Sequence, residues 1–336
     1  MSDQIGVIGS GAWGTTLAVR LAEAQRPVTL WAHTAAANEE LAAARENRRY
    51  LPGVIFPPNV RVASEDGYLS EPHRCFVLAI PAEHLRDVIR RLAPHLNPEA
   101  ALVSVTKGIE AQTHLRPSQV VGEELPGRAV AALSGPNLAQ EIARGKPAAA
   151  VVAAEEPALA AELAAMLSVE RFRLYTSPDL IGVELGGALK NVVALAAGMV
   201  DGLGLGDSAK AAIITRGLAE ITRLGTAAGA HPLTFSGLAG VGDLIATCMS
   251  PLSRNRRAGE LLASGIAWSE AAPQIGGVAE GAYTVRGALA LAGVHQVEMP
   301  IAEQVAAVIH DGRSPWQGVA ELMPRPPRDE LASLSG

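Results

Sequence analysis

Near its start the chain carries a short apolar run, Gln4 to Ile8, that leads into Gly9-Ser10-Gly11-Ala12-Trp13-Gly14. A helix-prone stretch, Thr15 to Ala24, follows, and then a second apolar run, Val28-Thr29-Leu30-Trp31. Apolar runs without polar alternation fit parallel strands buried on both faces. Strand, G-x-G-x-x-G, helix and strand in immediate succession form the fingerprint of a dinucleotide-binding βαβ unit. Gly9 makes the tight turn, Gly11 lets the backbone approach a pyrophosphate, and Gly14 allows close helix–strand packing. The helix N-terminus adds unpaired N–H groups and a favourable dipole for phosphate. A glycine turn with no ligand is the bland alternative, and the flanking elements argue against it.

Further strands are expected at Val60-Arg61-Val62, Cys75 to Ile80 (stopped by Pro81), Ala101 to Val105 and Ala129 to Leu133. Ala148 to Val152 and Arg173 to Tyr175 look like the last two, with a helix from Pro157 to Leu167 between them. Leu85, Val88, Ile89, Leu92 and Leu96 have the spacing of an amphipathic helix packed on a sheet. Ligands of open parallel sheets sit outside the carboxyl ends of the strands. Ile80-Pro81, Lys107-Gly108 and Gly135-Pro136 lie at such ends and become candidate cofactor and substrate loops. At the end of the second strand, Trp31-Ala32-His33-Thr34 holds no acid to bind ribose hydroxyls, whereas Arg45, Arg48 and Arg49 follow downstream. That combination fits NADP(H) as well as NAD(H). The same arginines fit a solvated helix end.

Past Asp179 the strands give way to Ala-, Leu- and Gly-rich segments with helical periodicity, broken by turns such as Asp201 to Gly206. The expected organisation is α/β: a Rossmann-type dinucleotide-binding domain over 1–178 and an all-helical substrate domain over 179–336. Hydrophobic residues make up 49% of the chain but aromatic ones only 4%, so both cores must be built from Ala, Leu and Val. A net charge of −6 argues against a nucleic-acid surface. Cys75 and Cys248 match no metal-ligand spacing, and they imply neither a metal site nor a disulfide framework. No signal peptide is evident, and apolar runs such as Val192 to Val200 fall short of the ~20 residues that span a bilayer. A cytoplasmic protein with no integral membrane segment is expected. The tail from Pro324 to Arg328 reads as irregular.

Two constellations carry chemistry in the second half. Gly182 to Asn191 reads as a helix opening that tolerates three glycines, which implies close approach of another backbone, and it ends on Lys190-Asn191. A lysine among Ala, Leu and Val has its pKa lowered and suits proton transfer. A lysine snorkelling to water is the equal alternative on these residues alone. Further on, Asp243 and Thr247 are four apart, on one face if helical. After Pro251, Ser253-Arg254-Asn255 opens a helical run with Ser253 as N-cap, an arrangement suited to an anion.

Taken together these blocks resemble the bacterial NAD(P)-dependent sn-glycerol-3-phosphate dehydrogenases over nearly the whole length. The specific stretches are Tyr50-Leu51-Pro52-Gly53, Lys107-Gly108-Ile109-Glu110, Leu133 to Ala139 and Gly182 to Asn191. Thr215 to Glu220, Gly240 to Asp243 and Ser253-Arg254-Asn255 complete the set. The resemblance implies Lys190 as catalytic acid/base, assisted by Lys107 and Asp243. It implies substrate contacts from Lys107, Gly135, Asn137, Lys190, Asn191, Asp243, Thr247, Ser253, Arg254 and Asn255. Cofactor contacts fall on Gly9, Gly11, Ala12, Trp13, Gly14, His33, Lys107, Ala139, Arg254, Val278 and Glu280. Ala12 and Asn137 stand where the family commonly has serine, and His33 where it often has arginine.

The implied activity is reversible hydride transfer between NADP(H) or NAD(H) and dihydroxyacetone phosphate, giving sn-glycerol 3-phosphate for the glycerophospholipid backbone. The resemblance also implies a homodimer. The alternatives are a two-domain dehydrogenase of another hydroxy acid or sugar phosphate, and a protein that binds NAD(P) without turnover. The Asp243/Ser253-Arg254-Asn255 constellation argues against the first, and the presence of both Lys190 and Lys107 against the second.

Overall fold

The apolar runs of the first half of the chain become strands of one eight-stranded sheet, ordered β3-β2-β1-β4-β5-β6-β7-β8. The computed structural model describes residues 4–324 and 329–330, so most of the expected irregular tail lies outside the described residues. The strands are β1 (Ile5–Ile8), β2 (Val28–Trp31), β3 (Val60–Val62), β4 (Cys75–Leu78), β5 (Ala101–Ser104), β6 (Val130–Ser134), β7 (Ala148–Ala153) and β8 (Phe172–Ser177). Between them run α1 (Ala12–Glu23), α2 (Ala35–Ala44), α3 (Ala82–Leu92), α4 (Pro117–Glu124), α5 (Ala139–Ala143) and α6 (Pro157–Leu167). In register, Val7 of β1 faces Leu30 of β2 and Val77 of β4, and all three are buried. The strand order reverses between β1 and β4, and such a switch point opens a crevice at the carboxyl ends.

Every pairing is parallel except β6 with β7, which is antiparallel. The connection between β6 and β7 holds only the five-residue α5, about 7.5 Å of rise, whereas the parallel crossovers before β2 and β5 carry helices of 12 and 11 residues.

Contacts between Cα atoms divide the chain into two units: Met1–Thr106 with Pro117–Leu180, and Lys107–Arg116 with Ile181–Gly336. A single cut at 178/179 would leave Lys107–Arg116 with the sheet. That segment is instead held by the second unit: Asn191 Nδ2 donates to the Lys107 carbonyl at 3.0 Å. Arg116 pairs with Glu184, whose side chain is 1% exposed.

The second unit comprises α7 (Leu180–Gly202), α8 (Gly206–Ala227), α9 (Asp243–Met249), α10 (Arg254–Ala263), α11 (Trp268–Gln274), α12 (Gly281–Val294), α13 (Pro300–His310) and α14 (Pro315–Leu322). The sequence-based expectation that no apolar segment reaches membrane-spanning length fails for α7. It has 23 residues and a mean hydropathy of 1.5 over its most apolar window, 94% of which is buried inside the protein. A helix apolar on all sides is buried in a core. Leu185, Leu189, Val192 and Leu195 of α7 pack with Leu224, Val285 and Val305 in one cluster. Interruption by Glu184, Lys190 and three glycines had masked its length. The close backbone approach expected at these glycines is met at Gly186 from within the same unit. A Cβ there would lie 2.5 Å from the Ala239 carbonyl, so this glycine admits the π-type turn Leu238–Gly242 of the same unit.

Candidate active site

In the first unit the glycine turn lies where β1 enters α1. Gly9 has φ +113°, and a Cβ on it would sit 2.2 Å from the Ala79 carbonyl; one on Gly14 would sit 2.0 Å from Gly9 O. Both glycines are demanded by the protein's own packing. Gly11, at the N-cap of α1, has nothing within 4 Å of a Cβ, so its smallness serves no internal contact. The turn is braced from beneath by Asn47, a buried residue that sequence reading passed over. Its Nδ2 donates to Ser10 O at 2.7 Å and to Thr15 Oγ1 at 2.8 Å.

The surroundings fit a polar ligand. Trp13 Nε1, Ser134 Oγ and both amide atoms of Asn137 are buried with no hydrogen-bond partner. Leaving such a group unsatisfied costs about 1–3 kcal/mol, which a nucleotide laid on the strand ends would offset. Ser134 was not among the sequence candidates, although it lies on the strand end that carries Gly135 and Asn137. Gly135 has φ +151° and abuts Ala150 on β7. Ala12 and Ala139 are tied together, since Thr16 Oγ1 reaches the carbonyls of both, at 2.8 and 3.1 Å.

His33 follows β2 and is exposed. The cations expected near it are engaged elsewhere. Arg45 donates to the carbonyls of Val60 at 2.7 Å and Pro57 at 2.6 Å, bracing the chain around β3. Arg48 pairs with Glu46 at 3.3 Å, and the Arg49 guanidinium lies 5.0 Å from the Tyr50 ring centre. The cation that does reach this place is Arg91 of α3. It donates to His33 O at 3.1 Å and forks onto Asp66 at 2.8 and 3.0 Å. Sequence distance from His33 concealed it.

In the second unit one carboxylate holds two lysines. Lys190 Nζ lies 2.7 Å from Asp243 Oδ1, and Lys107 Nζ lies 2.7 Å from Asp243 Oδ2. Lys190 also donates to Thr247 Oγ1 at 2.6 Å, and that hydroxyl donates back to Asp243 O at 2.7 Å. Asp243 and Thr247 share the inner face of α9. The Asp243 side chain is 2% exposed, those of Lys190 and Lys107 8% and 14%. Two cations on one anion leave the cluster net positive. Burial pushes the Lys107 ammonium down to about 8, against the pull of Asp243 and with the push of Lys190.

Around this centre, Asn255 Nδ2 donates to Asn191 Oδ1 at 2.9 Å, and Gly281 N–H donates to Asn255 Oδ1 at 3.0 Å. Ser253 caps α10 by accepting from Arg256 N–H at 3.2 Å. Arg254 is exposed, with its guanidinium against Gly277. Val278 and Glu280 lie just beyond, in the turn that opens α12. Glu280 bears on the charge of Lys107. The structure thus gathers Gly9, Gly11, Ala12, Trp13, Gly14, Gly135, Asn137 and Ala139 in the first unit. It gathers Lys107, Lys190, Asn191, Asp243, Thr247, Ser253, Arg254 and Asn255 in the second.

Comparison with known proteins agrees over both units. Residues 4–160 match the family described as NAD-dependent glycerol-3-phosphate dehydrogenase N-terminus, and residues 179–320 its C-terminus. A glycerol-3-phosphate dehydrogenase [NAD(P)+] of Desulfitobacterium hafniense is 44% identical over 332 residues, 99% of this chain and 94% of the relative. One of Streptomyces griseus is 46% identical over 96% of this chain and 97% of its own length. The crystal structure of glycerol-3-phosphate dehydrogenase from Coxiella burnetii superposes with a TM-score of 0.93 at 38% identity, covering 96% of this chain and 99% of that one. On this agreement of sequence, fold and length, the chain belongs to the NAD-dependent glycerol-3-phosphate dehydrogenase family.

Proposed function

We propose that this chain catalyses the reversible reduction of dihydroxyacetone phosphate to sn-glycerol 3-phosphate with NADPH or NADH. The observation that carries the reading is the Lys107–Asp243–Lys190 cluster, a net-positive, nearly buried site. A bound nicotinamide supplies the hydride; the protein manages charge and position. As the substrate carbonyl is reduced, negative charge develops on its oxygen. Lys190 donates the proton to that oxygen, and Lys107 holds positive charge beside it. Asp243 and Thr247 aim the Lys190 ammonium. The N-terminus of α10, with Ser253, Arg254 and Asn255, binds the phosphate, because the first N–H groups of a helix lack intrahelical partners and meet an anion well. Holding so small a substrate by its phosphate fixes its orientation at the reacting carbon.

In the first unit, Gly9, Gly11 and Gly14 with Trp13, Asn137 and Ala139 hold the cofactor, and His33 meets its adenosine end. The product serves as glycerophospholipid backbone, and the enzyme works in the cytoplasm as a homodimer. The test is loss of NADPH or NADH absorbance on adding dihydroxyacetone phosphate, with the two cofactors run side by side. Binding of either cofactor without turnover would replace this reading by that of a nucleotide-binding protein. Light scattering of the purified chain checks the dimer.

A further inference from the structure

Helix α7 carries more than Lys190. About three turns further along, Asp201 Oδ2 accepts from Lys210 Nζ of α8 at 2.7 Å and from Arg256 Nε of α10 at 2.6 Å. Arg256 reaches Glu260 Oε1 as well, at 2.8 Å. The three side chains are largely withdrawn from water, at 22% exposure for Asp201, 8% for Lys210 and 17% for Arg256. This cluster lies outside the chemistry described above, but it touches the same helix that opens the phosphate-binding turn.

The backbones of α7 and α10 meet directly. A Cβ on Gly198 would sit 1.9 Å from Arg256 O, and one on Gly259 would sit 2.1 Å from Leu195 O. Such a seam fixes how near the two helices come, and side-chain bonds fix where along each other they stop. These are Asn255 Nδ2 to Asn191 Oδ1 at 2.9 Å and, about three turns further along α7, Arg256 Nε to Asp201 Oδ2 at 2.6 Å. Arg256 is also the residue whose own N–H is capped by Ser253. Its side chain is anchored to α7 while its backbone belongs to the first turn of α10.

We propose that Asp201 is a positioning residue for phosphate recognition: through Arg256 it sets the Ser253-Arg254-Asn255 turn relative to Lys190. This deepens the functional reading above and rests on it. Asp201 touches neither substrate nor cofactor in this scheme. Lys210, on the same carboxylate oxygen, keeps that carboxylate ionised and aimed at α10.

The test compares dihydroxyacetone phosphate with phosphate-free dihydroxyacetone as substrates, and adds calorimetric titration with inorganic phosphate. Asp201→Asn is expected to lower kcat/KM for dihydroxyacetone phosphate about 10-fold, mainly through KM, since a ground-state grip is what is lost. Affinity for inorganic phosphate falls by the same factor, and turnover of dihydroxyacetone stays within about two-fold. Arg256→Lys keeps the charge but loses the Nε donor, and shows the same selectivity with a smaller loss. Equal losses with both substrates, or an unchanged phosphate affinity, overturn the proposal and leave Asp201 a general stabilising residue. If Asp201→Asn does not fold, Arg256→Lys decides by the same two criteria. A wild-type enzyme inert toward dihydroxyacetone phosphate would defeat the functional reading instead, and the phosphate titration would then judge Asp201 alone.

Discussion

At the carboxyl ends of β1 and β6 the groups offered to a ligand are main-chain N–H groups and the unsatisfied atoms of Trp13, Ser134 and Asn137. In the second unit, Lys107, Lys190, Asp243 and Thr247 already hold one another through bonds of 2.6–2.7 Å. The first region is preorganised by backbone geometry, and side chains there matter mostly by their absence. The second is preorganised by charge pairing, so it depends on which side chains are present. A dinucleotide is long and can be gripped along its phosphates by a rigid turn. A small ketone phosphate undergoing reduction needs a proton delivered to one oxygen, and a main-chain N–H does not supply it, whereas a lysine ammonium does.

The largest effect expected from this contrast is at Lys190. Lys190→Ala should lower turnover by roughly 10²–10⁴-fold while NADH binding, read by fluorescence, is kept. Unaltered turnover would break the side-chain half of the comparison. Asp243→Asn strands two lysines without a counter-charge and should cost about 3–5 kcal/mol in chemical denaturation as well as activity.

Next comes Gly11, which separates ligand need from folding need. Gly11→Ala places its methyl in open space, so the thermal midpoint should hold while the NADH Kd rises about ten-fold, equivalent to ~1.4 kcal/mol. Gly9→Ala, whose Cβ would lie 2.2 Å from Ala79 O at φ +113°, should lose stability and cofactor binding together. If Gly11→Ala unfolds the protein and spares NADH affinity, the backbone half of the comparison is wrong.

A smaller effect is expected from pH. Lys107, with its pKa lowered to about 8, is charged below that pH and neutral above it. Since the developing oxyanion needs the charge, the pH profile of the reduction rate should fall as pH rises through about 8. Lys107→Arg, which keeps its charge, should move that fall upward. The smallest effect concerns a side chain remote from the centre. Glu220 of α8 is buried and accepts from the N–H groups of Ile301 at 2.8 Å and Ala302 at 3.3 Å, capping α13. Burial raises its pKa from 4.5 to about 7. A raised carboxyl favours the folded state at low pH, and that contribution is lost as pH climbs through about 7. The thermal midpoint should carry this slope in the wild type and lack it in Glu220→Gln.

Much of the fold could be read from spacing. The glycines at 9, 11 and 14, the buried strand runs and the Leu85, Val88, Ile89 and Leu92 face are short-range patterns, and each came out as an element of the expected kind. Leu96, expected on the same helix, is instead buried past its end at Leu92. Two fold features did not follow from local pattern. The reversed direction of β7 shows only in its pairing with β6, and the membrane-like length of α7 was hidden behind its glycines and charges. At the candidate site, Arg45, Arg48 and Arg49 had been expected near His33 because they follow it in sequence. Folding turned Arg45 to main-chain carbonyls and brought Arg91 from α3 instead.

What the sequence by itself determined is whatever a few consecutive residues decide: a turn only glycine can make, a capped helix start at Ser253, two side chains four apart on α9. Tertiary structure alone decided which of these meet. Asp243 is bonded to Lys190 across 53 residues of chain and to Lys107 across 136. No local periodicity records such pairings, because they are set by the packing of α7 against α9 and by the seating of Lys107–Arg116 on the second unit. A buried carboxylate needs countercharge wherever it lies, and folding supplied two lysines from distant stretches of the chain.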